Sequence, residues 1–241
     1  MIYEEYVKAS LEDYGRNGRL EERAILRVLE DISSYHSDSV GCGAKNIEKS
    51  KLAWLLLEWR VKIHIPMSYG QSYRVTTWSR GVCSPCTTLR DFEIFDEDSR
   101  LCVSASSKWT PVNYVDKKIL RVTDELLDLY GTEERSAFEG GELTRLREPK
   151  EYAYEMPYRT YRKEIDLNGH LHNLCYLDIA LETIPEDVYH ARDFREIRIT
   201  YRKEIRADEK DLSCKYREES GVHTVGIYGP DGKLRAIVSL S

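Results

Sequence analysis

The chain lacks the features that mark membrane, secreted and nucleic-acid-binding proteins. No run of 18 apolar residues occurs among its 241 residues, so we predict no transmembrane helix and no membrane partner. A formal charge of −6 provides no basic excess for binding nucleic acid. Residues 1–5 are acidic and lack a basic and then apolar secretion signal, so a cytoplasmic location is expected.

Cysteines are few in the chain, and the common motifs of nucleotide-binding proteins and serine hydrolases are missing. The six cysteines form no dense framework, and we expect reduced thiols rather than disulfides. Cys83 and Cys86 have CxxC spacing, but a structural zinc site usually needs a second such pair, and none follows. We interpret the pair as part of a turn. The absence of Gly-x-Ser-x-Gly and of a Walker-type loop argues against a serine hydrolase and a nucleotide-binding protein. We expect no metal and no cofactor.

The hydrophobic residues that are present, 41% of the chain, follow two similar series of patterns. In each series an amphipathic helix precedes four strands. The predicted helices cover 20–32 and begin again at Leu171. The predicted strands are 52–65, 72–80, 87–95 and 101–109 in the first half, and 193–205, 212–218, 222–228 and 234–240 in the second, where a further strand at 154–165 comes first. Residues 116–149 are charged and predict a helix with a connector.

The two halves share a faint sequence echo. Residues 17–20 (Asn-Gly-Arg-Leu) match residues 168–171 (Asn-Gly-His-Leu) at a constant offset of 151, and each precedes a helical pattern. Together with the shared order of elements, this indicates a duplicated domain. The first copy has Gly15 where the second has Asp166, and Arg19 where the second has His170. We therefore expect one functional site, in the second half.

The densest group of reactive side chains is Asp166, Asn168 and His170. They directly precede the helical pattern that begins at Leu171. A helix start has free N–H groups and a partial positive charge, which favour a developing oxyanion. The simpler alternative is that Asp166 and Asn168 are turn and cap residues, a role that both residue types favour, and that His170 is a surface histidine.

Three nearby residues are interpreted as structural. His172 points to another helix face than His170, so we do not expect the two to form a metal site. Cys175 lies in the apolar helix pattern and is assigned to the core. Glu182 is interpreted as a charge at the end of the helix.

Several motifs along the chain form one recognisable set. In the second half they are Asp-x-Asn-x-His at 166–170, Asn-x-x-Tyr at 173–176 and Tyr-Arg-Lys-Glu at 201–204. The first half adds Arg-Asp-Phe at 90–92 and Ser-Lys-Trp at 107–109, with Asn113 further on. Over nearly the whole chain these motifs resemble the acyl-ACP thioesterase family of plants and bacteria, where ACP is acyl carrier protein.

The resemblance implies an α+β fold, the tandem (double) hotdog, in which each half is a central helix wrapped by an antiparallel β-sheet. It implies an N-terminal hotdog at 1–130 that binds the acyl chain and has a degenerate site. A linker at 131–153 and a catalytic C-terminal hotdog at 154–241 would follow.

The resemblance also implies a catalytic set of Asp166, Asn168, His170 and Glu204. Many plant members have a cysteine directly after that glutamate, and this chain has Ile205. If the protein is active, a thiol nucleophile at this position cannot be general to the family.

Thioester hydrolysis needs an attacking group, a polarised carbonyl and an acid for the departing thiol. Asp166 is the first choice to activate water or to attack directly and form an anhydride. Asn168 would orient the water or the carboxylate, and His170 would position or protonate. Glu204 would orient His170 or share the base role. Backbone N–H groups near Gly169 and His170 would polarise the carbonyl.

Strand alternation conflicts with the assignment of Glu204. Ile197, Ile199 and Tyr201 share one face of the predicted strand, which puts Glu204 on the other face. The assignment therefore requires a bulge, or a face that itself lines the site, and a surface role for Glu204 stays open.

The expected partner, implied by the resemblance, is acyl carrier protein bearing a fatty acyl chain. An apolar slot for that chain is expected near the strands at 54–65 and 72–78, although an aromatic core also explains their tryptophans. Because this chain and carrier protein are both acidic, docking requires a local basic patch. The candidates are Arg192, Arg195, Arg198, Arg202, Lys203 and Arg206, or Arg159, Arg162 and Lys163, with a solvated strand face as the alternative. The oligomeric state stays open, a homodimer included.

The leading functional hypothesis is an acyl-ACP thioesterase that releases free fatty acid and holo-ACP and so terminates fatty acid synthesis. An acyl-CoA thioesterase of hotdog fold is the second hypothesis. A non-catalytic acyl-binding or regulatory module on the same fold is the third. A hotdog hydratase or dehydratase fits the Asp-x-Asn-x-His pattern less well.

Overall fold

The structure, a computed structural model, describes residues 1–139 and 143–241. The chain divides into two compact units, Met1–Leu143 and Thr144–Ser241. Residues 140–142, which belong to the predicted linker at 131–153, lie outside the described residues. Within the described part of the chain, no helix is long and apolar enough to cross a membrane.

The first unit is a long helix packed on an antiparallel sheet of five strands. The strands run in the spatial order β1-β3-β4-β5-β2. They are β1 (Tyr3–Val7), β2 (Leu52–Ile63), β3 (Tyr73–Ser84), β4 (Thr87–Phe95) and β5 (Leu101–Asn113). The helices are α1 (Glu22–Ser39), α2 (Ile47–Ser50) and α3 (Asp124–Tyr130).

The long helix α1 buries the apolar stripe that the sequence predicts. Ile25, Leu29 and Ile32 are buried, and the helix packs on β3 and β1. Burying each such side chain contributes about 1.5–3 kcal/mol. The helix runs beyond the predicted end at Ile32 to Ser39, because the buried residues of its last turns include the polar His36 and Ser37. A hydrophobic pattern cannot reveal those turns.

The second unit has the same architecture with a shorter central helix. Its strands run in the spatial order β7-β10-β9-β8-β6. They are β6 (Tyr154–Arg159), β7 (Glu196–Tyr201), β8 (Asp211–Glu219), β9 (Val222–Tyr228) and β10 (Leu234–Leu240). The helices are α4 (Cys175–Thr183) and α5 (Glu186–Ala191), and α4 packs on β8, β9 and β10.

The two units repeat one topology, which supports the predicted duplication. In each, the first strand lies at an edge and is followed by a single 3₁₀ turn, Leu11–Asp13 in one unit and Arg162–Glu164 in the other. The second strand of each unit pairs with the last, as β2 pairs with β5 and β7 with β10. The first strands, β1 and β6, begin at the same sequence offset that relates the two Asn-Gly motifs.

Strand predictions succeed where apolar alternation is strong and fail at the edges of the sheets. The strands at 87–95, 222–228 and 234–240 have the predicted bounds. β1 is short, carries two glutamates and pairs only with β3, so its pattern was too weak to predict. The predicted run 154–165 ends as a strand at Arg159, where the 3₁₀ turn takes over.

The cysteine predictions agree with the structure. All six cysteines are free, and four of them are buried. Pro85 and Cys86 form the turn between β3 and β4, and Cys83 is exposed at the end of β3. Cys175 is buried at the start of α4, as expected for a core residue.

Candidate active site

Residues 165–171 form a tight hairpin in the second unit that carries three of the four predicted site residues. Ile165 and Leu171 form an antiparallel bridge, and the N–H of Asp166 donates to the carbonyl of His170 at 2.8 Å. Gly169 has φ +79°, a left-handed conformation that disfavours a side chain. The turn therefore requires glycine at this position.

The carboxylate of Asp166 is held by its own hairpin. Its Oδ1 accepts hydrogen bonds from the N–H groups of Asn168 at 2.8 Å and His170 at 3.0 Å. Asn168 Nδ2 lies 3.4 Å from Oδ2 of the same carboxylate. Asp166 is half-buried and Asn168 is exposed. The hairpin thus orients the carboxylate, and these contacts are also what a simple turn residue would make.

The predicted oxyanion donors are wrong for the two residues named. The N–H of Gly169 donates to the carbonyl of Asp166 at 3.1 Å, and the N–H of His170 donates to the Asp166 carboxylate. Both donors are therefore already used inside the hairpin. The helix also begins later than predicted, at Cys175 rather than Leu171, so its N-terminus does not coincide with the motif.

The fourth predicted residue, Glu204, lies beside His170. The distance from His170 Nε2 to Glu204 Oε1 is 3.3 Å, and the two side chains are 29% and 50% exposed. The conflict with strand alternation disappears because β7 ends at Tyr201 and the chain then leaves the sheet. Arg206 pairs with His170 in a β-bridge, which brings this loop against the hairpin. No bulge is needed.

Ile205 anchors the loop that carries Glu204. Its side chain is fully buried, its N–H donates to the Tyr176 hydroxyl at 3.1 Å, and its carbonyl accepts from Leu171 N–H at 2.8 Å. Burial raises the pKa of Tyr176, so the hydroxyl stays protonated. The position where many plant members have cysteine is thus a packing position in this chain.

Arg235 is a second support for this loop, and the sequence analysis missed it. Its carbonyl accepts from the N–H groups of Arg202 at 2.7 Å and Lys203 at 3.2 Å. Its guanidinium is completely buried and pairs with Glu209 and with Asp231. The signal was present in the sequence, because a single arginine interrupts the apolar run of β10 directly after a turn that contains an aspartate.

The equivalent hairpin of the first unit, residues 14–20, has the same backbone but lacks the carboxylate and the imidazole. Tyr14 and Leu20 form the matching bridge, and Gly15 N–H donates to the carbonyl of Arg19 at 2.9 Å. The side chain of Asn17 accepts from Arg19 N–H at 3.0 Å, in place of the aspartate. This hairpin therefore forms without the carboxylate, which weakens the interpretation of Asp166 as only a turn residue.

The resemblance motif at 90–92 belongs to a buried polar network of the first unit. Arg90 donates to Nδ1 of His36 at 2.9 Å and to Oγ1 of Thr77 at 3.2 Å, and its guanidinium lies 5.3 Å from the ring centre of Tyr130. Burial and the neighbouring Arg90 lower the pKa of His36 to about 3. His36 is therefore neutral and serves as a hydrogen-bond acceptor for the arginine.

The remaining predicted features are placed as follows. Trp59 and Trp78 are buried core residues, and Trp59 packs on Phe92 with ring centroids 5.2 Å apart. His172 Nδ1 accepts from the N–H of Leu174 at 3.3 Å. In the ranges 1–139 and 143–241, no group of three or more His, Cys, Asp or Glu side chains is arranged to hold a metal ion.

Comparison with protein families identifies both halves of the chain. Residues 1–130 match a family model described as the acyl-ACP thioesterase N-terminal domain. Residues 147–225 match the corresponding C-terminal domain model. The two matches together cover most of the chain.

Individual relatives are distant in sequence. Oleoyl-acyl carrier protein thioesterase 1, chloroplastic, from Arabidopsis thaliana is 24% identical, with 95% of this chain and 68% of that protein covered. The chain spans about 60% of two further plant oleoyl-acyl carrier protein thioesterases.

Solved structures share the fold over the whole chain. The 12:0-ACP thioesterase from Umbellularia californica superposes with a TM-score of 0.87 at 17% identity, covering 100% of this chain and 96% of its own. An acyl-ACP thioesterase from Bacteroides thetaiotaomicron gives 0.83 at 17% identity, with 99% and 96% covered. These likenesses confirm the predicted α+β tandem hotdog fold.

Proposed function

Because this chain belongs to the acyl-ACP thioesterase family, we propose that it hydrolyses the fatty acyl thioester of acyl carrier protein to free fatty acid and holo-ACP. In this role it would terminate fatty acid synthesis. The observation that carries the proposal is the pairing of His170 with Glu204 at 3.3 Å, next to the hairpin that holds Asp166 and Asn168.

Each of the four residues has a proposed role. Asp166 is the group that activates water or attacks the thioester, and Asn168 orients that carboxylate or the water. His170 donates a proton to the departing sulfur. Glu204 holds the imidazole in position and stabilises its protonated form.

The bonds and protons balance in the water-activated route. The oxygen of water bonds to the carbonyl carbon, and its proton passes to the carboxylate of Asp166. The carbon–sulfur bond then breaks, and the sulfur takes a proton from the imidazolium of His170. Transfer of a proton from Asp166 back to His170 restores the resting enzyme.

The test of this function is thiol release from a panel of acyl-ACP substrates of different chain length. The same acyl groups on CoA form the second arm. Release of thiol from acyl-ACP, with a higher kcat/KM than from acyl-CoA, is the expected result. A higher kcat/KM on CoA would replace the proposal by an acyl-CoA thioesterase, and acyl binding without thiol release would replace it by a binding module.

Reaction in ¹⁸O-labelled water under single-turnover conditions tests the two routes for Asp166. Label that enters only the released fatty acid is expected for activation of water, and also for an anhydride that water opens at the fatty acyl carbon. Label found in the carboxylate of Asp166 supports an anhydride formed by direct attack.

The proposed roles of the two halves, the location and the oligomeric state are inferred from the sequence and its resemblance to the family. We assign the acyl chain to the N-terminal hotdog at 1–130 and catalysis to the C-terminal hotdog at 154–241. A cytoplasmic location and a homodimer belong to the same proposal. Sedimentation of the purified protein tests the homodimer, and a fluorescent fusion in the source cell tests the location.

A further inference from the structure

A basic cavity borders the candidate active-site hairpin within the second unit. Its volume is about 650 Å³, and its walls include Arg159, Tyr161, Arg162, Ile165, Ala207 and Lys210. Small-molecule sites typically have volumes of roughly 300–1,000 Å³, so this cavity is large enough for a ligand.

The cavity and the hairpin share structural elements. Ile165, a wall residue, directly precedes Asp166. The N–H of Ala207, another wall residue, donates to the carbonyl of Gly169 at 3.0 Å. A ligand in the cavity therefore lies next to the residues proposed to act on the thioester.

Three cations in the walls carry no counter-ion. Arg159, Arg162 and Lys210 are exposed, and none of them has a carboxylate within salt-bridge distance in the part of the chain that the structure describes. Glu164 is close in sequence, but it is buried and its oxygens accept hydrogen bonds from Tyr158 and from the N–H of Tyr161. Asp211 is the cross-strand neighbour of Arg159 but forms no ion pair with it in the described residues. Three cations around one concavity attract an anion.

Several members of the other basic group in this unit already have partners. Arg195 pairs with Asp193, and Arg206 pairs with Asp208. Arg198 donates to the carbonyl and hydroxyl of Thr144. Of the two basic patches predicted from sequence, the group around Arg159 and Arg162 is the one that lines this cavity.

The first unit shows that the turn itself does not require this charge. Its 3₁₀ turn Leu11–Asp13 corresponds to Arg162–Glu164, and the place of Arg162 is taken by Leu11. Lys8 stands at the place of Arg159, so the charge at Arg162 is the part of the wall that this comparison assigns to the second copy.

We propose that Arg159, Arg162 and Lys210 bind the phosphate of the phosphopantetheine arm that carries the acyl thioester. The inference rests on the proposed function and deepens it. Arginine presents a planar fork that matches phosphate oxygens, and lysine adds a point charge. With the phosphate held in the cavity, the arm leads toward the adjoining hairpin that carries Asp166. CoA presents the same phosphate-linked arm, so both sources are tested.

The decisive experiment compares two thioesters that differ only in the phosphate. The acyl group that the wild type prefers is attached to pantetheine and to 4′-phosphopantetheine, and also to carrier protein and to CoA. In wild type the phosphorylated arm has the lower KM. In the triple variant Arg159→Ala, Arg162→Ala, Lys210→Ala we expect its KM to rise about tenfold or more, because the phosphate loses three charged partners. The KM for the pantetheine thioester stays unchanged.

Lys163→Ala is the matched control, because Lys163 lies between Arg162 and Glu164 and is exposed but does not line the cavity. It is expected to leave the KM values for the pantetheine, 4′-phosphopantetheine and CoA thioesters unchanged, and acyl-ACP is left out of this control because Lys163 belongs to the predicted docking patch. If Lys163→Ala raised the KM of the phosphorylated thioester as much as the triple variant does, the proposal would be overturned, because the effect would then come from the overall surface charge. An effect of the triple variant on acyl-ACP alone, with acyl-phosphopantetheine unaffected, would also overturn it in favour of contacts to the carrier protein surface.

A binding measurement separates this inference from the proposed function. Titration calorimetry with 4′-phosphopantetheine, which has no acyl group, should detect binding to wild type and to Lys163→Ala but not to the triple variant. If wild type binds this ligand and yet hydrolyses no thioester, the hydrolase proposal fails and the phosphate site stands. If wild type hydrolyses acyl-ACP but shows no preference for the phosphorylated arm, the phosphate site fails alone.

Discussion

Two hairpins of the same backbone geometry, at residues 14–20 and 165–171, carry very different side chains. Both use a glycine in the left-handed region, Gly18 at φ +72° and Gly169 at φ +79°. In both, the N–H of the closing leucine donates to a carbonyl of a neighbouring loop at 2.8 Å. Leu20 donates to Met67, and Leu171 donates to Ile205. Only the second adds a carboxylate and an imidazole, so the fold preserves the hairpin independently of the chemistry.

The polar pairs of the two units that include a histidine also differ in how exposed they are to solvent. In the first unit Arg90 and His36 are buried, and Arg90 donates to Nδ1 of His36. In the second unit His170 and Glu204 are partly exposed, 29% and 50%. Buried polar groups stabilise a unique packing but cannot meet a substrate, whereas partly exposed ones can. The comparison teaches that catalysis requires access as well as proximity.

The largest effect is expected when the second hairpin is converted toward the first. Asp166→Gly places in the second unit the residue that the first has at Gly15. Activity should fall by about 10³-fold, since general acid–base groups contribute 10²–10⁴-fold. The hairpin should survive, because residues 14–20 fold with glycine. Steady-state hydrolysis and the thermal midpoint are the measurements.

Asn17→Ala is the control for that conversion, because it removes the side-chain acceptor of Arg19 N–H in the first hairpin. Its stability can change, but its kcat should equal that of wild type. Full activity in a folded Asp166→Gly protein would refute the assignment of the second hairpin as the active one.

A second test addresses the His170–Glu204 pair, which has no counterpart in the first unit. Glu204→Gln should lower kcat by about 10–100-fold, because the imidazolium loses a charged partner worth about 1.5–3 kcal/mol. His170→Ala should lower it further, and the double variant should be no worse than His170→Ala alone. Additive losses in this double-mutant cycle would show that the two residues act independently.

The buried histidine of the first unit predicts a pH dependence of stability. The folded-state pKa of His36, about 3, is below the unfolded-state value of 6.5, so the unfolded chain takes up the proton first. Its contribution to stability is fully present above pH 6.5 and is lost as pH falls toward 3. At pH 5 the cost is about 2 kcal/mol.

Urea unfolding of wild type and His36→Gln at pH 7 and pH 5 measures this contribution. Glutamine keeps a hydrogen-bond acceptor for Arg90 and does not titrate in this range. The variant should therefore lose less stability than wild type between the two pH values. Equal losses would show that His36 is not the group that titrates.

The smallest effect is expected at Tyr176, whose hydroxyl holds Ile205 N–H. Tyr176→Phe leaves this buried N–H without its acceptor and should cost about 1–3 kcal/mol of unfolding free energy. Because Glu204 precedes Ile205, kcat should also fall, by less than in Glu204→Gln. A loss of stability with unchanged kcat would mean that Tyr176 does not position Glu204.

Prediction from sequence was most successful where the signal is local. The Asp-x-Asn-x-His motif, the repeat and most strands depend on residue identity at short spacing. Prediction was least successful where long-range packing decides. The last turns of α1 are polar, so the hydrophobic pattern does not predict them. In the folded protein His36, in these turns, accepts a hydrogen bond from Arg90. The strand β7 ends at Tyr201, where the N–H groups of Arg202 and Lys203 both donate to the Arg235 carbonyl. Beyond this point the side chains no longer alternate between the two faces of the sheet, and this allows Glu204 to lie beside His170.

The sequence by itself determined the two series of a helix followed by four strands, the echo between the halves, and which half has a carboxylate and an imidazole, because these follow from periodicity and residue identity. Only the tertiary structure decided that Glu204 lies 3.3 Å from His170, that the N–H groups of Gly169 and His170 are already used, and that Arg159, Arg162 and Lys210 surround one cavity. The first and the last of these depend on loops that bring together residues far apart in the chain, and no local pattern records how those loops close, whereas the second follows from the geometry of the hairpin itself.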